Sequence, residues 1–356
     1  MMKDIKVEEA LKLKNPIFID VRSPGEFAEG TIPGAVNIPL FSDEERAEIG
    51  TIYKNIGPKK AREQGLEYVS PKLPDLVKTI EKAAADGIPI IFCWRGGERS
   101  KSIGTILDLM KLPVYRLEGG YKAYRRYILD QFANYHFPPQ AVVLHGYTGV
   151  GKTEILHRLA EIGHPVLDLE GLAGHRGSVF GSIGIKNVRN QKHFDALLYN
   201  RLEELKDESY ILMEAESKRI GRVHMPDFLV EKKKNGIPIL ITASLEVRVE
   251  RIIEEYVTEK INKEFLDLCY SSLKAIEKRL IKRIGKAGFV ELEEALFKGD
   301  LKFVVRVLLT EYYDPLYKYS QDKYDQFVLV VDADDLQKAV NEIDKFLKEK
   351  YPKKRS

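Results

Sequence analysis

Short apolar runs alternate with longer polar, helix-favouring segments along this chain. That pattern predicts strands alternating with helices and a mainly parallel sheet covered on both faces. Ile17 to Val21 (IFIDV) is a β-rich run stopped by Ser23-Pro24-Gly25, and Ala35 to Ile38 is a second brief strand. Polar helical sequence fills much of Asp43 to Ala85. Pro89 to Cys93 (PIIFC) is too short for a helix and runs into Arg95-Gly96-Gly97, after which Arg99 to Met110 takes helical spacing. Val114 to Leu117 is a further strand, turned by Gly119-Gly120 into the helical run Tyr121 to Asn134. Phe137-Pro138-Pro139-Gln140 then interrupts the pattern, because proline lacks an amide donor and restricts the residue before it. A second α/β series opens at Ala141 to His145 (AVVLH), with strands expected at 166–169, 210–213, 237–242 and 327–331. Leu245 to Leu309 reads as almost wholly helical. The expected organisation is an α/β domain over 1–136, a linker at 137–140, and a second α/β domain over 141–356 with a helical insertion at about 245–310.

Composition narrows the classes. With 44% hydrophobic and 31% charged residues, the chain has the balance of a globular protein, and its length of 356 residues suggests two domains. No stretch approaches the 18 or so apolar residues of a membrane span, so no membrane partner is expected. The charged N-terminus lacks the features of a signal peptide, and two cysteines do not make a disulfide scaffold; both favour a cytoplasmic location. The net charge of +3 does not by itself announce a nucleic-acid binder. None of the seven histidines has metal-ligand spacing such as H-E-x-x-H, so neither zinc nor haem nor any histidine-ligated metal is expected.

Two loops carry chemistry. Cys93-Trp94-Arg95-Gly96-Gly97-Glu98-Arg99-Ser100 follows a strand and opens a helix, which places backbone N–H groups and the positive end of a helix dipole around one concavity. A thiol there should be acidified and partly ionised. Arg95 and Arg99 add positive charge, and Gly96 and Gly97 permit the tight backbone. Cys-x5-Arg serves both phosphatase loops and the sulfur-carrying loops of rhodaneses. Ile19-Asp20-Val21-Arg22-Ser23-Pro24-Gly25-Glu26-Phe27, the stretch from Gly30 to Pro39, and Gly119-Gly120-Tyr121 together resemble a rhodanese domain, with Thr31 where histidine is frequent. No histidine precedes His136, so Cys93 has no imidazole partner within that domain.

The second loop, Gly146-Tyr147-Thr148-Gly149-Val150-Gly151-Lys152-Thr153, fits G-x-x-x-x-G-K-[ST] between a strand and a helix. Its amides would cradle a diphosphate, Lys152 would reach the terminal phosphate, and the Thr153 hydroxyl would be available to Mg²⁺. Where nucleotide hydrolases commonly place an aspartate, Tyr210 to Met213 is followed by Glu214-Ala215-Glu216, which sets this loop apart from routine ATP hydrolysis. Arg248 and Arg251 read either as a lid over phosphates or as a solvated helix face.

Joined on one chain, these halves resemble the tRNA 2-selenouridine synthase family. The most specific segments are Glu45 to Lys54, Gly119 to Arg126, Leu169 to Gly181 (LEGLAGHRGSVFG), Glu214 to Gly221 (EAESKRIG) and Tyr312 to Tyr317. His175, Arg176 and Ser178 lie in a polar, glycine-flexed loop suited to anion or nucleotide contact. The resemblance implies replacement of sulfur by selenium in wobble 2-thiouridine of tRNA, with selenophosphate as donor. It also implies geranyl diphosphate as a co-substrate that alkylates the sulfur into a leaving group. The phosphate loop would then hold the prenyl donor, and Cys93 would act in the selenium step. Two other readings stay open on the residues: an ATP-dependent tRNA thiolase using a Cys93 persulfide, and a non-catalytic sulfur-relay or tRNA-binding module.

A tRNA partner needs local basic surface. Lys274, Lys278, Arg279, Lys282, Arg283 and Lys286 recur at helical spacing against one acid, Glu277. Lys122, Arg125 and Arg126 form a second cluster, and Lys353-Lys354-Arg355 a third. Tyr312, Tyr313, Tyr317 and Tyr319 offer stacking surface or core packing, and Cys269 in the apolar run FLDLCY reads as core.

Overall fold

Five short parallel strands form the first sheet of the computed structural model, which describes residues 2–181, 183, 188–257, 261–316 and 326–352. The order is β1-β5-β4-β2-β3, from β1 (Lys3–Ile5), β2 (Pro16–Asp20), β3 (Val36–Asn37), β4 (Ile88–Phe92) and β5 (Tyr115–Leu117). Strand β1 was not expected. Lys3 and Asp4 are exposed and only Ile5 is buried, so no apolar run marks it; pairing with β5 defines it. Contact clustering divides the chain into Met1–Tyr135 with Asn190–Tyr199, and His136–Arg189 with Asn200–Ser356.

Helices of the first unit start where their side chains can satisfy free amides. Ser23 and Glu26 form a capping box on α2 (Pro24–Ala28), and Ser42 and Glu45 form another on α3 (Asp43–Asn55). These follow α1 (Val7–Ala10) and precede α4 (Pro58–Val69), α5 (Leu73–Ala83), α6 (Glu98–Leu109) and α7 (Gly120–Ala133). Beneath the sheet's C-terminal edge Asp20 and Arg22 are both buried, and the Arg22 guanidinium donates to Asp20 and to the Gly30 carbonyl at 2.7 Å. The same guanidinium lies 4.3 Å from the Tyr121 ring centre. Charge so deeply buried is tolerable only when paired and hydrogen-bonded.

The second unit repeats the parallel plan in the order β12-β11-β6-β8-β7. Its strands are β6 (Gln140–His145), β7 (Val166–Leu167), β8 (Tyr210–Glu214), β11 (Ile237–Thr242) and β12 (Leu329–Asp332). A separate antiparallel pair is β9 (Arg219–Ile220) with β10 (Val223–His224). Strand β7 stops two residues before the expected Leu169, because Asp168 caps α9 (Leu169–Ala173) by accepting from the Gly171 amide at 2.7 Å. Helix α8 (Lys152–Glu161) buries Ile155, Leu156 and Leu159 in a core that also takes Val142, Leu144, Ile239 and Ile241 from the sheet. The remaining helices are α10 (Gln191–Leu205), α11 (Asp227–Lys234), α12 (Leu245–Tyr256), α13 (Lys263–Lys298), α14 (Leu301–Val307) and α15 (Leu336–Lys350).

Helices α12 to α14 and the π-helical segment Leu308–Tyr313 form a second core within this unit. Cys269, Leu273, Ile276 and Leu280 fall at helical spacing on the buried face of α13. Gly285, at φ 75°, breaks that helix into two, a kink that the helical reading of 245–309 did not include.

His145 ends β6 immediately before the phosphate loop, and burial pushes its imidazole down to about 4. A native pKa below the unfolded one gives stability that is present above about pH 6.5 and is lost as pH falls through about 4. We expect chemical denaturation to show a loss of about 1–3 kcal/mol across that window. His145→Gln should flatten this part of the profile; an unchanged profile would remove His145 as its source.

Candidate functional site

Cys93 follows the last residue of β4, a central strand of the first sheet, and is 3% exposed. Its Sγ lies 3.3 Å from Ser100 Oγ, and Ser100 Oγ donates to the Gly97 carbonyl at 3.2 Å. Three further carbonyls of the loop are held from outside it. Tyr121 N–H donates to Cys93 O and Lys122 N–H to Trp94 O, each at 2.9 Å, and Arg116 donates to Gly96 O at 3.2 Å. Gly120 is required for this approach, since a Cβ there would meet Cys93 O at 2.2 Å. With these carbonyls occupied, the loop has amides to offer an anion. Arg95 is exposed at the rim. Arg99 is committed to Glu26 through contacts of 2.5 and 3.1 Å, a partner that the sequence reading missed although Glu26 stands in the quoted motif. Arg99 and Arg116 are both close enough to Cys93 to interact with its charge.

The phosphate loop leaves β6, a central strand of the second sheet. Gly146, Gly149 and Gly151 have φ of 151°, 82° and 92°, and a Cβ on Gly146 would meet the Ile241 carbonyl at 2.4 Å. Lys152 Nζ donates to Gly146 O and Tyr147 O at 3.1 and 3.2 Å, curling back over the loop. Arg248 is no part of a solvated face, and both arginines reach the backbone of the loop. Arg248, 4% exposed, donates to Thr148 O at 2.9 Å and pairs with Asp314 at 2.5 Å. Arg251 donates to Val150 O at 3.0 Å and to Ala333 O at 2.5 Å. Both arginines therefore hold loop carbonyls outward, as the donors around Cys93 do in the first unit.

Three carboxylates face this loop. Ligand atoms of Glu170, Glu214 and Glu216 lie within 4.8 Å of one another. Glu170 is the member sequence reasoning missed; its signal was its place in LEGLAGHRG, two residues after the helix-capping Asp168. Thr153 Oγ1 donates to Glu170 at 3.4 Å. Burial, then the repulsion of the other two, pushes the Glu170 carboxyl far up; burial raises Glu214 and Glu216 against the pull of Lys152. The buried Glu214 Oε1 has no hydrogen-bond partner. An orphaned carboxylate oxygen beside two others is a donor set that fits a hard divalent cation.

The same loop and carboxylates line a cavity of about 590 Å³, one wall of which is apolar. Ile252 and Tyr256 come from α12, Phe265, Cys269 and Leu273 from α13, Val304 from α14, and Leu308, Leu309 and Tyr313 from the π-helical segment. Burial pushes the Cys269 thiol up to about 11, so this cysteine is a neutral wall residue. Arg176 and Ser178 also line the cavity. Arg176 Nε contacts Glu255 at 2.7 Å, and Ser178 Oγ lies 3.0 Å from the Tyr256 hydroxyl. His175 is instead wedged between Gly181 and Gly221, where added Cβ atoms would approach its ring to 2.8 and 2.4 Å, and it positions the loop.

The basic candidates divide. Lys278, Arg279, Lys282 and Arg283 are exposed along one face of the first half of α13, with Arg279 3.4 Å from the Tyr312 hydroxyl, and Lys286 is exposed just beyond the Gly285 kink. Lys274 is tied to Glu277 and Glu293. Lys122 is exposed, Arg126 contacts Asp130 at 3.5 Å, and Arg125 pairs with Asp195 at 2.5 Å. Tyr312 and Tyr313 are buried. Tyr317, Tyr319 and Lys353 to Arg355 lie outside the described residues. No helix among the described residues is long and apolar enough to cross a membrane.

Comparison with known proteins places both halves. Residues 5–127 match the rhodanese-like domain, and residues 139–350 match the tRNA 2-selenouridine synthase AAA domain. A tRNA 2-selenouridine synthase of Sulfurovum sp. (strain NBC37-1) is 32% identical over 96% of this chain and 96% of its own length. Another from Hydrogenovibrio crunogenus is 34% identical over 88% of this chain and 92% of its own. Among solved structures, an N-terminal domain from Clostridium difficile 630 is 47% identical, covering 36% of this chain and 99% of that one, at a TM-score of 0.35. With two domain matches in this order and relatives aligned along nearly its whole length, the chain belongs to the tRNA 2-selenouridine synthase family.

Proposed function

We propose that this chain replaces the sulfur of wobble 2-thiouridine in tRNA with selenium from selenophosphate, through an S-geranyl intermediate made from geranyl diphosphate. The observation that carries the reading is the shared cavity: one space is bounded by a phosphate loop and by a wall of apolar side chains. A diphosphate and a prenyl chain need those two environments side by side, whereas a nucleotide has no use for so extensive an apolar wall.

In the first step the thiouridine sulfur bonds to C1 of the geranyl group. The C1–O bond breaks, diphosphate leaves, and the N3 proton is released. The loop amides and Lys152 hold the charge that develops on the leaving diphosphate. Glu170, Glu214, Glu216 and the Thr153 hydroxyl are the groups that would hold Mg²⁺, which supplies charge neutralisation beside a trianionic leaving group. In the second step selenium of selenophosphate bonds to C2 and the C2–S bond breaks. Geranyl thiol departs, N3 regains a proton, and the phosphoryl group passes to water. The Cys93 loop serves this step, with amides suited to the selenophosphate anion and the thiol beside it.

Two measurements separate the steps. Lys152→Ala should lose geranylation of thiolated tRNA by about a hundredfold or more, yet still convert tRNA that already carries S-geranyl-2-thiouridine. Cys93→Ser should show the reverse, as read by mass spectrometry of the wobble nucleoside. Normal geranylation by the first variant, or normal selenation by the second, would remove that residue from its step.

The apolar wall gives a second test. Cys269→Trp should raise KM for geranyl diphosphate about tenfold or more while leaving inhibition by inorganic pyrophosphate unchanged. Dimethylallyl diphosphate, with its shorter tail, should be less affected. An unaltered KM for geranyl diphosphate would place the prenyl chain elsewhere.

A further inference from the structure

We propose that the tip of the α3–α4 hairpin is an RNA-binding surface that receives the unpaired anticodon loop beside the Cys93 loop. This inference rests on the tRNA reading above and adds a contact surface outside both catalytic loops. Between Tyr53 and Arg62 the sequence YKNIGPKKAR holds four basic residues and no acidic one. Acids crowd the start of α3 at Asp43, Glu44 and Glu45, so the hairpin's positive charge is confined to its tip. Lys54 and Lys59 are exposed and have no ion-pair partner among the described residues; Lys60 contacts Glu63 at 3.2 Å.

Charge alone would mark an ordinary solvated turn. This tip also carries Tyr53 and Ile56 at 62% and 70% exposure, among the most exposed large apolar side chains of the protein. An aromatic ring and an aliphatic side chain left in water among lysines suit an unstacked base with its phosphates. Gly57, at φ 132°, makes the turn that sets these side chains at the end of the hairpin.

Position gives the surface its purpose. Arg62 pairs at 2.9 Å with Glu98, the first residue of α6 and part of the Cys93 loop. Behind the tip, Gly65 faces Phe41 and Ile49, and a Cβ added to it would be in ordinary contact with both side chains. The hairpin is thereby anchored at the rim of the loop that must meet the wobble base. A base reaching the buried Cys93 has to leave its stack, and its neighbours then need a platform.

The test uses the full chain and a fluorescein-labelled anticodon stem-loop RNA, followed by anisotropy over a series of salt concentrations. Tyr53→Ala should weaken binding about tenfold, and Tyr53→Phe should restore it. Lys54→Ala with Lys59→Ala should lower the slope of log affinity against log salt by about 1–2. The alkylation rate of Cys93 by iodoacetamide and the thermal midpoint should be unchanged, which a general loss of structure would not allow. Unaltered affinity and slope in these variants would overturn the proposal and leave the apolar tip to a protein partner. Failure of the unaltered chain to bind the RNA would overturn the tRNA reading and this surface with it.

Discussion

A peptide loop can present its amides to an anion only if its carbonyls are satisfied somewhere else, because every backbone group left bare in a buried site costs free energy. Both loops of this protein meet much of that demand with donors recruited from distant sequence. Around Cys93 they are the Tyr121 and Lys122 amides of α7 and the Arg116 guanidinium. Around Lys152 they are Arg248 and Arg251 of α12. The parallel sheets supply the remaining requirement, since each loop leaves the C-terminal end of a central strand, where helix N-termini gather. Replacing one of these donors would leave a carbonyl free to turn inward against the anion.

The second unit combines two environments that are hard to hold together. Three carboxylates and a lysine surround the phosphate loop, and the adjoining wall is made of leucine, isoleucine and aromatic side chains. Low polarity strengthens every electrostatic contact in the cavity and makes unneutralised carboxylates costly. The proposed prenyl diphosphate, an amphiphile with a multiply charged head, would meet both demands at once. Asp314 has a place in this arrangement, since it follows the π-helical segment of the apolar wall and pairs with the Arg248 that holds the phosphate loop. One guanidinium thus links the apolar wall to the phosphate loop.

The two loops were readable because their chemistry is local: glycines at fixed spacing, a strand before, a helix after. The parallel α/β architecture followed from the alternation of apolar runs and turn residues. What sequence did not reveal depends on residues far apart in the chain. Glu170 joins Glu214 and Glu216 only through the neighbouring C-terminal ends of β7 and β8. Arg248 had the spacing of a surface helix, and only its Thr148 and Asp314 partners define its role. The apolar cavity is assembled from three helices and a π-helical segment, and each alone looks like an ordinary amphipathic element. Strand β1 has too little apolar sequence to be seen without its neighbour β5.

The central claim is that alkylation precedes selenium transfer on one chain. Time-resolved mass spectrometry of the wobble nucleoside, with thiolated tRNA, selenophosphate and geranyl diphosphate, tests it most directly. The account predicts that S-geranyl-2-thiouridine rises first and decays as 2-selenouridine appears, and that omitting geranyl diphosphate stops both. Formation of 2-selenouridine at the same rate without geranyl diphosphate would contradict it.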